Sequence, residues 1–150
     1  MQTLNNSIEI VNDAIDSRHL QSLPGSPNVI YIDFDGQTIT YGEWTFYNGF
    51  NPLHCLPAGI TSNDEITVWK VITEDYRPFN VNITTDSTIF INAQPGKRQR
   101  LVVTTTRSWQ SVSTTGISIN GSFTYIADAA SFIFPQGVSN MEKLGEVGSH

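Results

Sequence analysis

Ser62-Asn63-Asp64-Glu65-Ile66-Thr67-Val68-Trp69-Lys70-Val71-Ile72-Thr73-Glu74-Asp75-Tyr76-Arg77-Pro78 is the stretch that decides the fold class. It opens on a capping box, with Ser62 as N-cap and Glu65 reaching back to its amide. Ile66, Trp69, Ile72 or Thr73, and Tyr76 then recur at helical spacing. Arg77-Pro78 ends the run, because the residue before a proline avoids the α region. The pattern predicts a helix over Asn63 to Tyr76, with Trp69, Ile72 and Tyr76 turned toward a core. Glu74 and Asp75 fall on its exposed side, and Glu74 is placed to pair with Arg77 at i, i+3.

Strand patterns lie on both sides of this helix. Val29-Ile30-Tyr31-Ile32-Asp33-Phe34 is rich in β-branched and aromatic residues, and Asp35-Gly36 closes it with a turn. Val81 to Thr85, Leu101 to Thr106, Gly116 to Ala127 and Ser131 to Phe134 read as further strands. Their Thr and Ser content predicts a half-exposed sheet. Ser139-Asn140-Met141-Glu142 is a second capping box, followed by Met141, Leu144 and Val147 on one helical stripe. Gly145 and Gly148 interrupt that helix at a cost of about 1 kcal/mol each relative to Ala, which points to close approach by a neighbouring element. The order β, α, β, β, β, β, α implies an α/β fold. It would be a mixed twisted sheet of about five strands with two helices packed on it.

The remaining segments carry less pattern. Residues 1–28 are a polar lead-in, with Ile8, Val11 and Ile15 on one face of a short helix from about Asn6 to His19. Leu23-Pro24-Gly25-Ser26-Pro27 breaks it. Residues 37–60 read as an irregular, aromatic connection containing Trp44, Phe46, Tyr47 and Phe50. A connection of that length is often functional or covering. No internal repeat is visible.

At 150 residues, 39% hydrophobic and 15% charged, the chain is expected to form one domain with a substantial core. Its net charge of −6 argues against a nucleic-acid surface, which needs Lys and Arg gathered on one face. Lys97-Arg98-Gln99-Arg100, after Pro95-Gly96, reads as a solvated hairpin turn. The single cysteine rules out an internal disulfide. No apolar run approaches the roughly 20 residues of a membrane span. The N-terminus shows no basic region followed by an apolar core, so no signal peptide is expected in these residues.

Several side chains invite a chemical reading. His54-Cys55 pairs two metal-capable groups, but adjacent residues rarely reach one ion and no CxxC or HxxxH partner exists, so a structural role is expected. His19 is isolated. Asp33 and Asp35 sit at i and i+2 and point together if the strand continues, as a carboxylate pair would. The plainer account is a strand end running into an Asp-Gly turn.

Three segments together resemble a known family. Val29 to Gly36, Glu74-Asp75-Tyr76-Arg77-Pro78-Phe79-Asn80-Val81-Asn82-Ile83-Thr84-Thr85-Asp86, and Gly145-Glu146-Val147-Gly148-Ser149-His150 look like bacterial zinc metallopeptidases of the metzincin type. The resemblance runs from about Leu23 to His150, and the middle segment is its most specific part. In that family the last segment continues into H-E-x-x-H-x-x-G-x-x-H, and His150 falls where the first zinc histidine stands. The resemblance implies the N-terminal, upper subdomain, over 29–150, cut at the first ligand. It would comprise a sheet, a backing helix and the first half of the active-site helix. It also implies that Gly116, Ile117, Ser118, Ile119, Asn120 and Gly121 form a cleft-lining edge that pairs with extended substrate.

The sequence departs from the family after His150, with no following Glu, no second or third zinc histidine and no Met-turn. A catalytic zinc takes three protein ligands and a water, and the Glu beside the first histidine acts as general base. The resemblance therefore implies zinc and a protein or peptide substrate for a parent metalloendopeptidase, secreted or periplasmic in a bacterium. This chain alone would be inactive, with no tightly bound zinc. Gly148-Ser149-His150 also resembles a cloning remnant, although a remnant would not supply the cap and stripe before it. No nucleic acid or membrane partner is implied, and self-association of an uncovered edge is expected. The alternative is a non-enzymatic binding or structural module that uses its Thr- and Ser-rich sheet.

Overall fold

The computed structural model describes residues 15–40, 44, 52–110, 113–124 and 129–150. The fold is mixed α/β. Five strands form one sheet in the order β4-β1-β5-β7-β6: β1 Val29–Asp33, β4 Asn82–Thr84, β5 Arg98–Val103, β6 Gly116–Ile117 and β7 Ser131–Ile133. β4, β5 and β7 run parallel to the strand each joins, whereas β6 is antiparallel to β7. Among the described residues, β6 ends the sheet on one side.

Helix α1, Ser62–Tyr76, and helix α3, Met141–Ser149, pack together on one face. Their Val68, Ile72 and Leu144 meet Ile30, Ile32, Ile83, Leu101, Val103 and Ile133 from the strands, and Phe34 just after β1. Side chains alternate along a strand, so Val102 and Phe132 belong to the opposite face. There they pack with Trp44, Leu53, Cys55, Trp109 and Phe134. Full burial of each large apolar side chain contributes roughly 1.5–3 kcal/mol. With both faces covered, the half-exposed sheet expected from composition is not what forms. Thr84, Thr85 and Thr104 are buried, and hydroxyls among them bond backbone: Thr84 Oγ1 donates to Leu20 O at 2.8 Å and Thr104 Oγ1 to Leu56 O.

The segment expected to be irregular contains a hairpin. β2, Gln37–Ile39, pairs antiparallel with β3, Leu53–Cys55. The hairpin closes against the ends of the central strands, where Ala58 N donates to Phe34 O at 2.9 Å. Gly36 has φ +86°, and a Cβ there would lie 2.4 Å from Cys55 O, so only glycine allows the turn out of β1. A further helix, α2, Ser87–Asn92, was not expected. Asp86 caps it by accepting from Thr88 N at 2.8 Å. The expected strand from Leu101 begins three residues earlier, at Arg98. Arg98, Gln99 and Arg100 of the basic cluster are therefore sheet, and only Lys97 stays exposed in the turn. The turn lies just before β5, with Gly96 at φ +82°.

These arginines have built-in partners. Arg98 donates to Phe90 O, Ile91 O and Ala93 O at 3.0–3.1 Å, placing a cation at the carboxyl end of α2. Arg100 bonds Asp33 at 3.2 Å and Gln37, and its guanidinium lies 4.9 Å from the Phe90 ring centroid.

The lead-in covers the other sheet edge. Ser22 N donates to Ile83 O at 3.0 Å and Thr85 N to Leu20 O at 3.1 Å, with Gln21 bridged antiparallel to Thr84. Residues 1–14 of the expected short helix lie outside the described residues, and residues 15–20 form a turn rather than helix. Both helix caps sit one residue from their expected places. Thr61 caps α1 in a box with Asp64, and Asn140 caps α3 by accepting from Lys143 N at 2.9 Å. No helix among the described residues is long and apolar enough to cross a membrane.

Candidate functional site

A groove of about 970 Å³ runs between the β6 edge and α3. Gly116, Ile117, Ser118, Ile119, Asn120 and Gly121 all line it, and so does His150 at the end of α3. The edge and the histidine that the family resemblance singles out thus fall on one concavity. Its floor is apolar, with Ile133, Leu101 and Val147, and its rim carries Lys143 and Glu146, which pair with each other at 2.6 Å.

β6 is much shorter than expected. Only Gly116 and Ile117 pair with β7, opposite Ile133 and Phe132. Residues 118–121 leave the ladder and lead into a 3-10 turn at Ser122–Thr124. Residues 125–128 of the expected strand lie outside the described residues. Phe134 N donates to Thr115 O at 2.9 Å. By the alternation of an antiparallel ladder, the backbone groups of Gly116 then face away from β7. The Thr114 hydroxyl folds onto them, donating to Gly116 O at 2.8 Å and accepting from Gly116 N at 3.4 Å.

The close approach expected at the α3 glycines is observed. A Cβ at Gly145 would lie 2.6 Å from Val71 Cβ, and one at Gly148 2.9 Å from Ile72 Cδ1. Gly116 is equally tight, because its Cβ would meet Val147 Cγ1 at 2.8 Å. Small residues at these places let α3 sit on both α1 and the sheet edge, which sets the width of the groove and the position of His150. Ser149 Oγ also bonds Asp75 on α1.

The other candidate residues serve structure. Asp33 is buried and bonded to Arg100 and to Asp35 N at 3.0 Å, whereas Asp35 is exposed and paired with Arg18. They do not form a shared carboxylate pair. Burial pushes the Asp33 carboxyl upward, against the pull of Arg100. His54 is exposed on the hairpin, 3.2 Å from Thr38 Oγ1. Cys55 points inward, and burial with the Asp33 charge raises its thiol to about 11, so it is a poor nucleophile. Glu74 pairs with Arg77 at 3.4 Å, as expected.

Sequence pattern gave no signal for Arg18. It bonds Glu65 at 2.9 Å across 47 residues of sequence and lies over the Phe34 ring. Among the described residues the groove offers zinc one imidazole, His150, and the Glu146 carboxylate, which is paired with Lys143. Among the described residues no group of three or more His, Cys, Asp and Glu side chains is arranged to hold a metal ion. That donor set does not fit a catalytic zinc, and no hydrolytic step can be derived from it. No family model, curated protein or solved structure matches the chain.

Proposed function

We propose that this chain is the substrate-binding part of a zinc-dependent metalloendopeptidase of the metzincin type and is inactive alone. An extended peptide pairs with the outward backbone of the β6 edge, and His150 is one of the ligands of a zinc whose remaining ligands lie elsewhere. The observation that carries the proposal is the shared groove: residues 116–121 and His150 line the same concavity. An edge strand can offer its outward N–H and C=O groups to an extended chain, and at Gly116 the incoming backbone would displace the Thr114 hydroxyl. The mixed sheet, α1 behind it and α3 ending in His150 fit the sheet, backing helix and active-site helix that the sequence resemblance implies. Export from a bacterial cell belongs to the same proposal.

The test joins this chain to the residues that come after His150 in its gene. Those residues are expected to begin Glu, two variable positions, His. The extended protein should bind one zinc and cleave unfolded casein in a chelator-sensitive way, and His150→Ala should abolish both. A gene that stops at His150, or continues without those ligands, overturns the proposal.

A further inference from the structure

We infer that Gln99 is a positioning residue for the groove: its side-chain amide clamps the wall formed by residues 118–124 to the sheet. The inference rests on the proposal that this wall binds peptide. The ladder holds the wall only through Gly116 and Ile117, so residues 118–124 need another anchor. Gln99 lies on β5, and the parallel register that pairs Leu101 with Ser131 brings it level with the approach to β7. Its Nε2 donates to Ala129 O at 2.7 Å and to Ser131 Oγ at 3.0 Å. Its Oε1 accepts from Ser122 Oγ at 3.2 Å.

One amide therefore ties the chain before residues 125–128 to the chain after them. The Ala129 carbonyl can only accept, which fixes the orientation of the Gln99 amide and leaves Oε1 for Ser122. Ser122 is buried, so its hydroxyl has no easy replacement by water. The Ser122 and Thr124 amides donate to Ile119 O and Gly121 O at 3.1 and 3.2 Å. The clamp thus holds a turn that is itself bonded to the groove-lining residues. Gln99 also lines the groove.

The test is amide hydrogen exchange on the chain, with titration of a blocked ten-residue peptide of alternating valine and threonine flanked by lysines. Gln99→Ala and Ser122→Ala should each speed exchange of the Ser122 and Thr124 amides, leave Ile32 and Val102 unchanged, and weaken peptide binding about threefold to tenfold. Gln99→Glu keeps an acceptor for Ser122 but sets a carboxylate against the Ala129 carbonyl in place of the donor, so it should speed exchange at Ser122 and Thr124 as the alanine variants do. Unchanged exchange at Ser122 and Thr124 in both alanine variants overturns the clamp, as does equal loss at the core amides. Ser122→Ala decides the matter if Gln99→Ala does not fold. A wild-type chain that ignores the peptide overturns the peptide-binding proposal instead, and the exchange result still decides the clamp.

Discussion

Gly145 of α3 and Val71 of α1 are so close that a methyl group on the glycine would lie 2.6 Å from Val71 Cβ. The obstructing atom is joined directly to the α1 backbone, so a rotamer change cannot clear it. Gly145→Ala should gain about 1 kcal/mol of helix propensity and lose roughly 1–3 kcal/mol to overpacking. The expected outcome is a net loss, read as a lower urea midpoint with an unchanged slope. A stabilised variant would mean that α3 does not sit this tightly on α1.

Arg18 and Glu65 form the long-range contact of most consequence for the lead-in. The Glu65 side chain is 5% exposed and that of Arg18 is 38% exposed. Glu65 Oε2 is buried without a partner, so the carboxylate depends on its one bond to Arg18. Removing Arg18 leaves a buried acceptor unsatisfied, at a cost of about 1–3 kcal/mol. Arg18→Ala should therefore destabilise, and Glu65→Gln should make the same change milder. A double-mutant cycle measures the coupling. Additive effects would show that the lead-in is not held by this pair.

The same contact shows why sequence reached some features and missed others. Thr61-Ser62-Asn63-Asp64-Glu65 offers two overlapping capping boxes. The fold uses Thr61 with Asp64 because Glu65 is turned inward to Arg18, and that partner is invisible from local spacing. The inward turn also rotates the helix: Glu65, Val68 and Ile72 are buried, while Ile66, Trp69 and Tyr76 are half-buried at the margins. A charged residue in the buried stripe hides it from a hydrophobic count. β1, β4, β7 and α3 were legible because runs of Val, Ile and Phe, or a cap with a stripe after it, are local signals. Ser87–Asn92 was not, because a six-residue helix rich in Ile has no helical period to detect. Arg98 and Arg100 looked solvated because their partners, the end of α2 and Asp33, come from other elements of the fold. Gly116 to Gly121 and His150, which the resemblance singled out, line one groove, whereas the bonds from Gln99 to Ala129, Ser131 and Ser122 leave no local signal in the sequence.

His19 and Asp86 give the chain a pH-dependent contact. His19 Nδ1 lies 3.1 Å from Asp86 Oδ2, and Nε2 lies 3.4 Å from Asp16. The hydrogen bond to Asp86, with the Asp16 charge, raises the His19 pKa above its ordinary value. A raised folded-state value means that protonation favours the folded form. The contribution is complete below the unfolded value of about 6.5 and is lost as pH rises through the folded one. Titration of the His19 ring protons by nuclear magnetic resonance should give a midpoint above the unfolded value, and Asp86→Asn should bring it down. A midpoint indifferent to Asp86→Asn would remove the contact.

Zinc should bind this chain only weakly. His150 is exposed at the end of α3 and supplies one imidazole where a catalytic site takes three protein ligands. Isothermal titration is expected to show no sub-micromolar site per monomer, and His150→Ala should change little beyond the weak phase. A tight stoichiometric zinc would mean that a second chain completes a site around His150.

The open β6 edge should also support self-pairing, and Thr114 should restrain it. Free strand edges recruit other strands, and β6 ends the sheet among the described residues. The outward carbonyl of Gly116 is engaged by Thr114 Oγ1 at 2.8 Å, so an incoming strand must displace that hydroxyl. Thr114→Val keeps the side-chain shape and removes the competitor. It should shift sedimentation toward dimer at lower protein concentration, by about twofold to tenfold for one hydrogen bond. Ser118→Pro deletes the N–H of the residue that leaves the ladder after Ile117, so a strand lengthened by pairing cannot use it, and the substitution should act the other way. Opposite shifts from these two substitutions would locate the contact on the β6 edge. Identical sedimentation for both variants and the wild type would show that this edge does not pair with a second copy.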